Sequence, residues 1–133
     1  MELLLSQRER TYLTVIKHLT DEEGFARLSK IAKEMSISPA SAYEEINHLI
    51  KKGFVQKTNK GIKLTEEGEK ELNKAIKAHR VVEYWLFNLG FGAAEACNYA
   101  KKFDYMVPLE VIEKLYVNLG KPETCPHGEK IPE

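Results

Sequence analysis

The residues best suited to bind a metal or to react are two cysteines and a histidine–glutamate pair. His79 and Glu83 are four residues apart, so on a helix they share one face. Cys97 and Cys125 are the two cysteines of the chain. In a reducing compartment a disulfide between them is not expected, which leaves ligand or core roles. These residues could instead have purely structural roles, with His79 and Glu83 as a buried hydrogen-bonded pair and Cys97 as a small packing residue.

A second set of residues is suited to contacts with DNA. Ser38 and Pro39 predict the N-cap and first residue of a helix. On its outward positions Asn47 could bond adenine through its amide, and Glu44 could accept a hydrogen bond from cytosine. Glu44 would also weaken the attraction to phosphate, and the acidic pair Glu44-Glu45 is unusual for such a helix. The predicted DNA contacts are Ser29, Ser38, Pro39, Ala40, Ser41, Tyr43, Glu44, Asn47, Lys51 and Lys60.

Lysines surround the same region and would contact phosphates, adding affinity and salt dependence but no sequence reading. The chain has 20 basic and 20 acidic residues, a formal net charge of zero. Any attraction to DNA must therefore come from a local patch. The lysines concerned are Lys30, Lys33, Lys51, Lys52, Lys57, Lys60 and Lys63.

The elements that would position these residues follow from apolar spacing. Helical periodicity marks residues 12–19, 28–35 and 39–50. Two β-like runs, 54–58 and 62–64, are joined by Asn-Lys-Gly, which suits a hairpin turn. Gly24-Phe25-Ala26 could add a short paired strand. Helix, helix, turn, helix, hairpin is the order of a winged helix-turn-helix, whose third helix enters the major groove.

The second half is predicted to be helical. A long helix begins at Thr65-Glu66-Glu67 and ends near Gly90, and two further helices cover about 93–103 and 108–118. The tail from residue 120 reads as irregular. The apolar residues after position 80 exceed what a lone pair of helices can hide, and a symmetric two-fold interface would bury part of them. They are Val81, Trp85, Leu86, Leu89, Phe91, Phe103, Val107, Val111, Ile112 and Leu115.

Several functional classes are not expected. No apolar run approaches the roughly 20 residues of a membrane span, and the opening Met1-Glu2-Leu3-Leu4-Leu5 is too short for a secretory signal. We therefore expect a cytoplasmic protein. No phosphate-binding glycine loop or hydrolase nucleophile elbow is present, so an enzyme is not expected either.

The sequence resembles the diphtheria-toxin-repressor family of iron- and manganese-dependent repressors along nearly its whole length. The resemblance implies a mainly α protein, with a winged helix-turn-helix DNA-binding domain at 1–72 and a helical dimerisation and metal-binding domain at 73–133. The resemblance is to the two-domain form of the family, which lacks the SH3-like domain of some members. It also implies a metal-responsive repressor that binds palindromic operators as a homodimer. The markers are Tyr12-Leu13, Ile31-Ala32, Ser38-Pro39, Leu64-Thr65-Glu66-Glu67-Gly68, His79-Arg80 with Glu83, and Cys125-Pro126-His127-Gly128 before Ile131-Pro132.

By this resemblance the principal regulatory metal site of the family falls on Thr11, Lys101, Asp104 and Tyr105. Asp104 alone is a good ligand, since a lysine ammonium has no lone pair. We therefore expect this site to be degenerate. Lys101 could stand in for the cation through contacts with nearby carboxylates, which would fix this part of the switch in a metal-bound-like shape.

The second site of the family is better kept, and the resemblance places it at His79, Glu83, Cys97, Cys125 and His127. Two thiolates, two imidazoles and a carboxylate form a softer set than Mn²⁺ prefers, and suit Zn²⁺, Fe²⁺ or Co²⁺. Cys125-Pro126-His127 could instead be only a rigid turn.

Two other functions remain open at this stage. One is a regulator of the same ancestry that has lost metal sensing, and binds DNA constitutively or responds to thiol oxidation through Cys97 and Cys125. The other is a protein-interaction module, for which the acidic pair on the third helix is the best support.

Overall fold

The computed structural model describes residues 5–133, and the remaining four residues of the opening segment lie outside it. The described chain is mainly helical with one small sheet, which confirms the predicted fold class. It divides into two compact units, Ser6–Leu72 and Asn73–Glu133, the latter joined by Leu5. No helix within this range is long and apolar enough to cross a bilayer.

The first unit has the element order of a winged helix-turn-helix. Ser38 caps the third helix by accepting a hydrogen bond from the Ser41 amide at 3.1 Å, and Pro39 is its first residue. Buried Ala42, Ile46 and Leu49 turn one face of this helix to the core. The elements are α1 (Gln7–Glu23), α2 (Leu28–Met35), α3 (Pro39–Lys51), β1 (Val55–Lys57) and β2 (Ile62–Leu64).

The wing is an antiparallel hairpin with Val55 opposite Leu64 and Lys57 opposite Ile62. The loop after α1 joins it, because the Ile62 amide donates to the Ala26 carbonyl at 2.8 Å and the reverse bond is 3.3 Å long. The predicted pairing of this loop is confirmed as a single bridge.

A partly buried ion pair connects the start of α1 to Lys52, the residue that follows α3. Glu9 and Ser6 form a reciprocal capping box, and Lys52 Nζ donates to Glu9 Oε2 at 2.5 Å. Burial alone raises the pKa of Glu9, but the hydrogen bonds from Lys52 and Ser6 and the Lys52 charge outweigh it, so this pKa lies below its ordinary 4.5. The ionised form is therefore the one that stabilises the fold.

Glu9→Gln should lower the free energy of unfolding by about 1–2 kcal/mol at pH 7. A lowered carboxyl pKa stabilises above the unfolded-state pKa and stops stabilising as pH falls through the folded-state value. The deficit should therefore shrink below about pH 4.5. Urea unfolding at pH 7 and pH 4, at one protein concentration, measures it. An equal deficit at both values would contradict the assignment.

The second unit contains most of the long helix α4 (Glu66–Asn88), then α5 (Ala93–Phe103), a 3₁₀ turn (Asp104–Met106) and α6 (Leu109–Asn118). The 3₁₀ turn was not predicted. The core of this unit is formed chiefly by Val81, Val82, Ala96, Ala100, Ile112 and Ile131.

The tail is irregular, as predicted, but it is firmly packed. Ile131 is buried in the core of the second unit, and Thr124 forms an isolated antiparallel β-bridge with Lys130. The Arg80 guanidinium donates to the Lys130 carbonyl. These contacts hold the segment around Cys125 and His127 against α4.

Part of the apolar surface predicted after residue 80 is covered within the second unit itself. Val81, Leu86 and Ile112 are buried in the core, and four more members are partly buried against it: Trp85, Phe103, Val107 and Leu115. The sequence of a helix does not by itself show which of its faces the rest of the unit will cover. The exposed large apolar residues of this unit are Phe87, Leu89, Phe91, Tyr99, Met106, Val111 and Val117.

Candidate metal centre and DNA-binding surface

Glu83 is the centre of the candidate metal site and is only 1% exposed. The helical pitch of α4 places His79 one turn before it, with His79 Nε2 3.3 Å from Glu83 Oε2. Cys97, on α5, lies with its Sγ 3.6 Å from the same imidazole nitrogen. Two consecutive helices thus bring a nitrogen, an oxygen and a sulfur donor together.

The tail supplies two more donors on the other side of the same carboxylate. His127 Nδ1 is 3.3 Å from Glu83 Oε1, and Cys125 is buried nearby. The Gly128 amide donates to the Cys125 carbonyl at 2.9 Å and the Cys125 amide to the Glu129 carbonyl at 2.8 Å, which closes the turn around both donors.

The five residues form two overlapping donor groups that share Glu83. One contains His79, Glu83 and Cys97, and the other contains Glu83, Cys125 and His127; within each, the donor atoms lie within 4.8 Å of one another. The structure therefore brings together all five residues predicted for this site.

The donor spacing fits a divalent cation of zinc size. Metal–sulfur and metal–nitrogen bonds of about 2.3 and 2.05 Å at a tetrahedral angle separate the two donors by about 3.6 Å, and nitrogen and oxygen donors by about 3.3 Å. These are the separations found between Cys97 and His79 and between Glu83 and each histidine. A hydrogen-bonded pair alone would explain His79 and Glu83, but not the two thiols and the second imidazole around them.

The thiols of Cys97 and Cys125 and the carboxylate of Glu83 shift one another's pKa. Burial raises the pKa of Glu83, but hydrogen bonds from Cys125, His127 and Cys97 outweigh it, so its pKa is lowered. Burial, reinforced by the hydrogen bond to Glu83, raises the pKa of both Cys97 and Cys125. In the metal-free protein the thiols are protonated donors and Glu83 is an ionised acceptor.

The residues predicted for the degenerate site have other surroundings. The Thr11 hydroxyl is exposed and donates to the Gln7 carbonyl. Lys101 is exposed on α5, and its positive charge lowers the pKa of the Cys97 thiol but does not outweigh the effect of burial. Tyr105 is half-buried. Asp104 belongs to neither donor group and instead lies with Oδ2 2.7 Å from His79 Nδ1. This contact joins residues 25 apart and left no signal in the sequence.

The residues predicted to contact DNA lie at the surface of the first unit. Nine of the ten are exposed and Asn47 is half-buried; the other nine are Ser29, Ser38, Pro39, Ala40, Ser41, Tyr43, Glu44, Lys51 and Lys60. Lys57 Nζ lies 4.9 Å above the centre of the Tyr43 ring, which connects the wing to the outward face of α3.

Two of the lysines predicted to contact phosphate are already engaged within the chain. Lys52 pairs with buried Glu9, and Lys30 Nζ lies 2.6 Å from Glu23 Oε1. Each of these two lysines has a carboxylate partner within the chain, so fewer of the predicted lysines are left without a nearby acidic group.

Two family models together match nearly all of the chain. Residues 4–61 match the N-terminal DNA-binding domain of iron-dependent repressors, and residues 65–133 match their metal-binding and dimerisation domain.

Solved structures give the same result. A hypothetical protein from Sulfolobus solfataricus is 47% identical, with a TM-score of 0.91, and the match covers 97% of this chain and all of that one. The manganese regulator SloR is 29% identical over 93% of this chain, with a TM-score of 0.77. T. acidophilum IdeR is 28% identical over the whole chain, with a TM-score of 0.72. The chain spans 59% of the SloR structure and 62% of the IdeR structure.

Proposed function

Because the chain belongs to the iron-dependent repressor family, we propose that it is a metal-responsive transcriptional regulator. It acts as a repressor and binds palindromic operator DNA as a homodimer in the cytoplasm. The observation that carries this proposal is the set of five donors around buried Glu83 in a chain that also folds a winged helix-turn-helix. The family consists of transcriptional regulators rather than enzymes.

His79, Glu83, Cys97, Cys125 and His127 would hold the metal. A bound divalent cation would supply the positive charge that keeps two thiolates and a carboxylate together. Related structures are described as manganese-activated or as holding Zn²⁺ or Cd²⁺. The two sulfur donors of this chain favour Zn²⁺, Fe²⁺ or Co²⁺ over Mn²⁺.

The first unit would bind DNA through α3 and the wing. The small residues at the start of α3 allow it to lie close to base edges, where Asn47 and Tyr43 reach outward. Exposed Lys51 and Lys60 would contact phosphates on either side.

The exposed apolar residues of the second unit supply the material for a two-fold interface. Leu89 is 61% and Met106 64% exposed, and the Phe91 and Tyr99 rings pack at 5.2 Å on the surface. A dimer would cover such residues and space two copies of α3 for a palindrome.

Metal affinity should rise with pH between about pH 6 and 8. The raised pKa of Cys97 and Cys125 means that both thiols carry protons that the cation must displace. The logarithm of the affinity should increase by up to about two per pH unit. Competition with a chromophoric chelator measures it. An affinity independent of pH would show that the thiols are not ligands.

The function is tested on purified full-length protein by metal analysis and by DNA binding before and after chelation. Operator fragments are selected from a random duplex pool in the presence of Zn²⁺, Fe²⁺ or Mn²⁺. The expected result is salt-sensitive binding that chelation abolishes and metal restores. Binding that survives chelation but changes with peroxide would favour a thiol-responsive regulator, and absence of duplex binding would favour a protein-interaction module.

A further inference from the structure

Asp104 is a buried carboxylate that the donor groups do not include. It is 1% exposed, at the start of the 3₁₀ turn after α5, and its Oδ2 lies 2.7 Å from His79 Nδ1. The opposite ring nitrogen, Nε2, faces Glu83 and Cys97 at 3.3 and 3.6 Å. The imidazole of His79 thus lies between a carboxylate on one side and the donor group on the other.

This placement determines which ring nitrogen is available to a cation. A neutral imidazole carries one proton, and an ionised carboxylate can only accept a hydrogen bond. Carboxylates face both ring nitrogens, but the Asp104 contact with Nδ1 is 2.7 Å long and the Glu83 contact with Nε2 is 3.3 Å long. The shorter contact favours the proton on Nδ1, which leaves the Nε2 lone pair for a cation in the donor group. The short contact also restrains the orientation of the His79 imidazole, because the Asp104 side chain is itself buried.

We infer that Asp104 is a positioning residue of the metal centre, which accepts a hydrogen bond from the Nδ1–H group of His79 and keeps Nε2 directed at the cation. This inference rests on the proposed metal-binding function. It assigns position 104 to the site around Glu83, whereas the family resemblance assigns it to a separate regulatory site. Hydrogen bonds of this kind to metal-bound histidines change affinity by about 10–100-fold when removed.

A competing role would be direct ligation of a second cation by Asp104. The structure does not favour that role, since Asp104 lies outside both donor groups. The two roles differ in stoichiometry: loss of a positioning residue weakens one site, whereas loss of a ligand removes a bound cation.

The test is titration of the full-length chain with Co²⁺, whose thiolate charge-transfer bands report the site, followed by displacement with Zn²⁺. Asp104→Asn, which preserves size, is compared with wild type and with His79→Ala and the double variant. We expect Asp104→Asn to weaken binding about 10–100-fold at unchanged stoichiometry. In the His79→Ala background the same substitution should have almost no further effect, because its influence passes through the imidazole.

The ¹⁵N spectrum of His79 in the Zn²⁺-loaded wild type gives a second measurement that needs no variant. It should show a protonated Nδ1 and a metal-bound Nε2. Metal on Nδ1, or unchanged affinity in Asp104→Asn while wild type binds Co²⁺, would overturn the inference and leave the proposed function standing. Failure of wild type to bind either metal would overturn both.

Discussion

Glu83→Gln is expected to abolish high-affinity metal binding and, with it, metal-dependent DNA binding. Glu83 is the one residue common to both donor groups, and each of its oxygens faces a different histidine. Glutamine has nearly the same shape but lacks the charge, and its NH₂ group cannot act as a ligand. The loss of metal affinity should exceed about 100-fold, which is the upper end of the effect of supporting residues around metal ligands.

The matched control is Glu129→Gln, an exposed glutamate in the same tail segment. The Glu129 side chain lies outside both donor groups and 3.9 Å from Arg80, and the substitution leaves its backbone contact with Cys125 in place. The variant removes the same charge and should bind metal as wild type does. Calorimetry with Zn²⁺ and operator binding at saturating metal measure both variants. If Glu83→Gln still bound DNA in a metal-dependent way, at the metal concentrations that wild type requires, the site around Glu83 would not be the metal sensor.

Gly68→Ala is expected to destabilise the protein, although alanine is the better helix former by about 1 kcal/mol. Gly68 lies in the first turn of α4, and a Cβ there would be 2.0 Å from the Phe54 carbonyl oxygen. That carbonyl also accepts from the Thr65 amide at 3.0 Å, so it cannot move without breaking a hydrogen bond at the start of α4. The expected cost is about 1–3 kcal/mol or more, as for other overpacked sites.

Glu67→Ala is the control, since this neighbouring position is exposed and should change the free energy of unfolding by less than about 0.5 kcal/mol. Denaturant unfolding of the metal-free proteins at one concentration compares the two. A Gly68→Ala variant as stable as wild type would mean that the approach of Phe54 to α4 is looser than the structure shows.

The boundaries of α3 and of the hairpin could be predicted closely because their signals are local, whereas apolar spacing marked only residues 12–19 of α1 (Gln7–Glu23). Ser38 and Pro39 begin α3 through a side-chain cap and a preset backbone angle, and neither depends on the rest of the fold. The two apolar runs with Asn-Lys-Gly between them likewise predicted the hairpin. The 3₁₀ turn was missed, since three residues carry no detectable period.

The candidate metal site was predictable in its residues but not in its arrangement. Only the four-residue spacing of His79 and Glu83 is a local signal; the other donors came from resemblance to a family. That Cys97 and His127 approach the same carboxylate depends on how α5 and the tail pack against α4. Asp104 was assigned to another site, because nothing in the sequence connects it to His79.

By itself, the sequence determined the cap of α3, the apolar periodicity and the hairpin turn, which depend on residues a few positions apart, and it supplied the inventory of metal-binding side chains. The tertiary structure decided which groups meet across long separations. It buried Glu83 among donors from three segments, paired Lys52 with Glu9, and made Gly68 necessary where helix propensity favours alanine. The physical reason is that burial, charge pairing and steric exclusion depend on distances between atoms in space, and a linear sequence does not specify these distances directly.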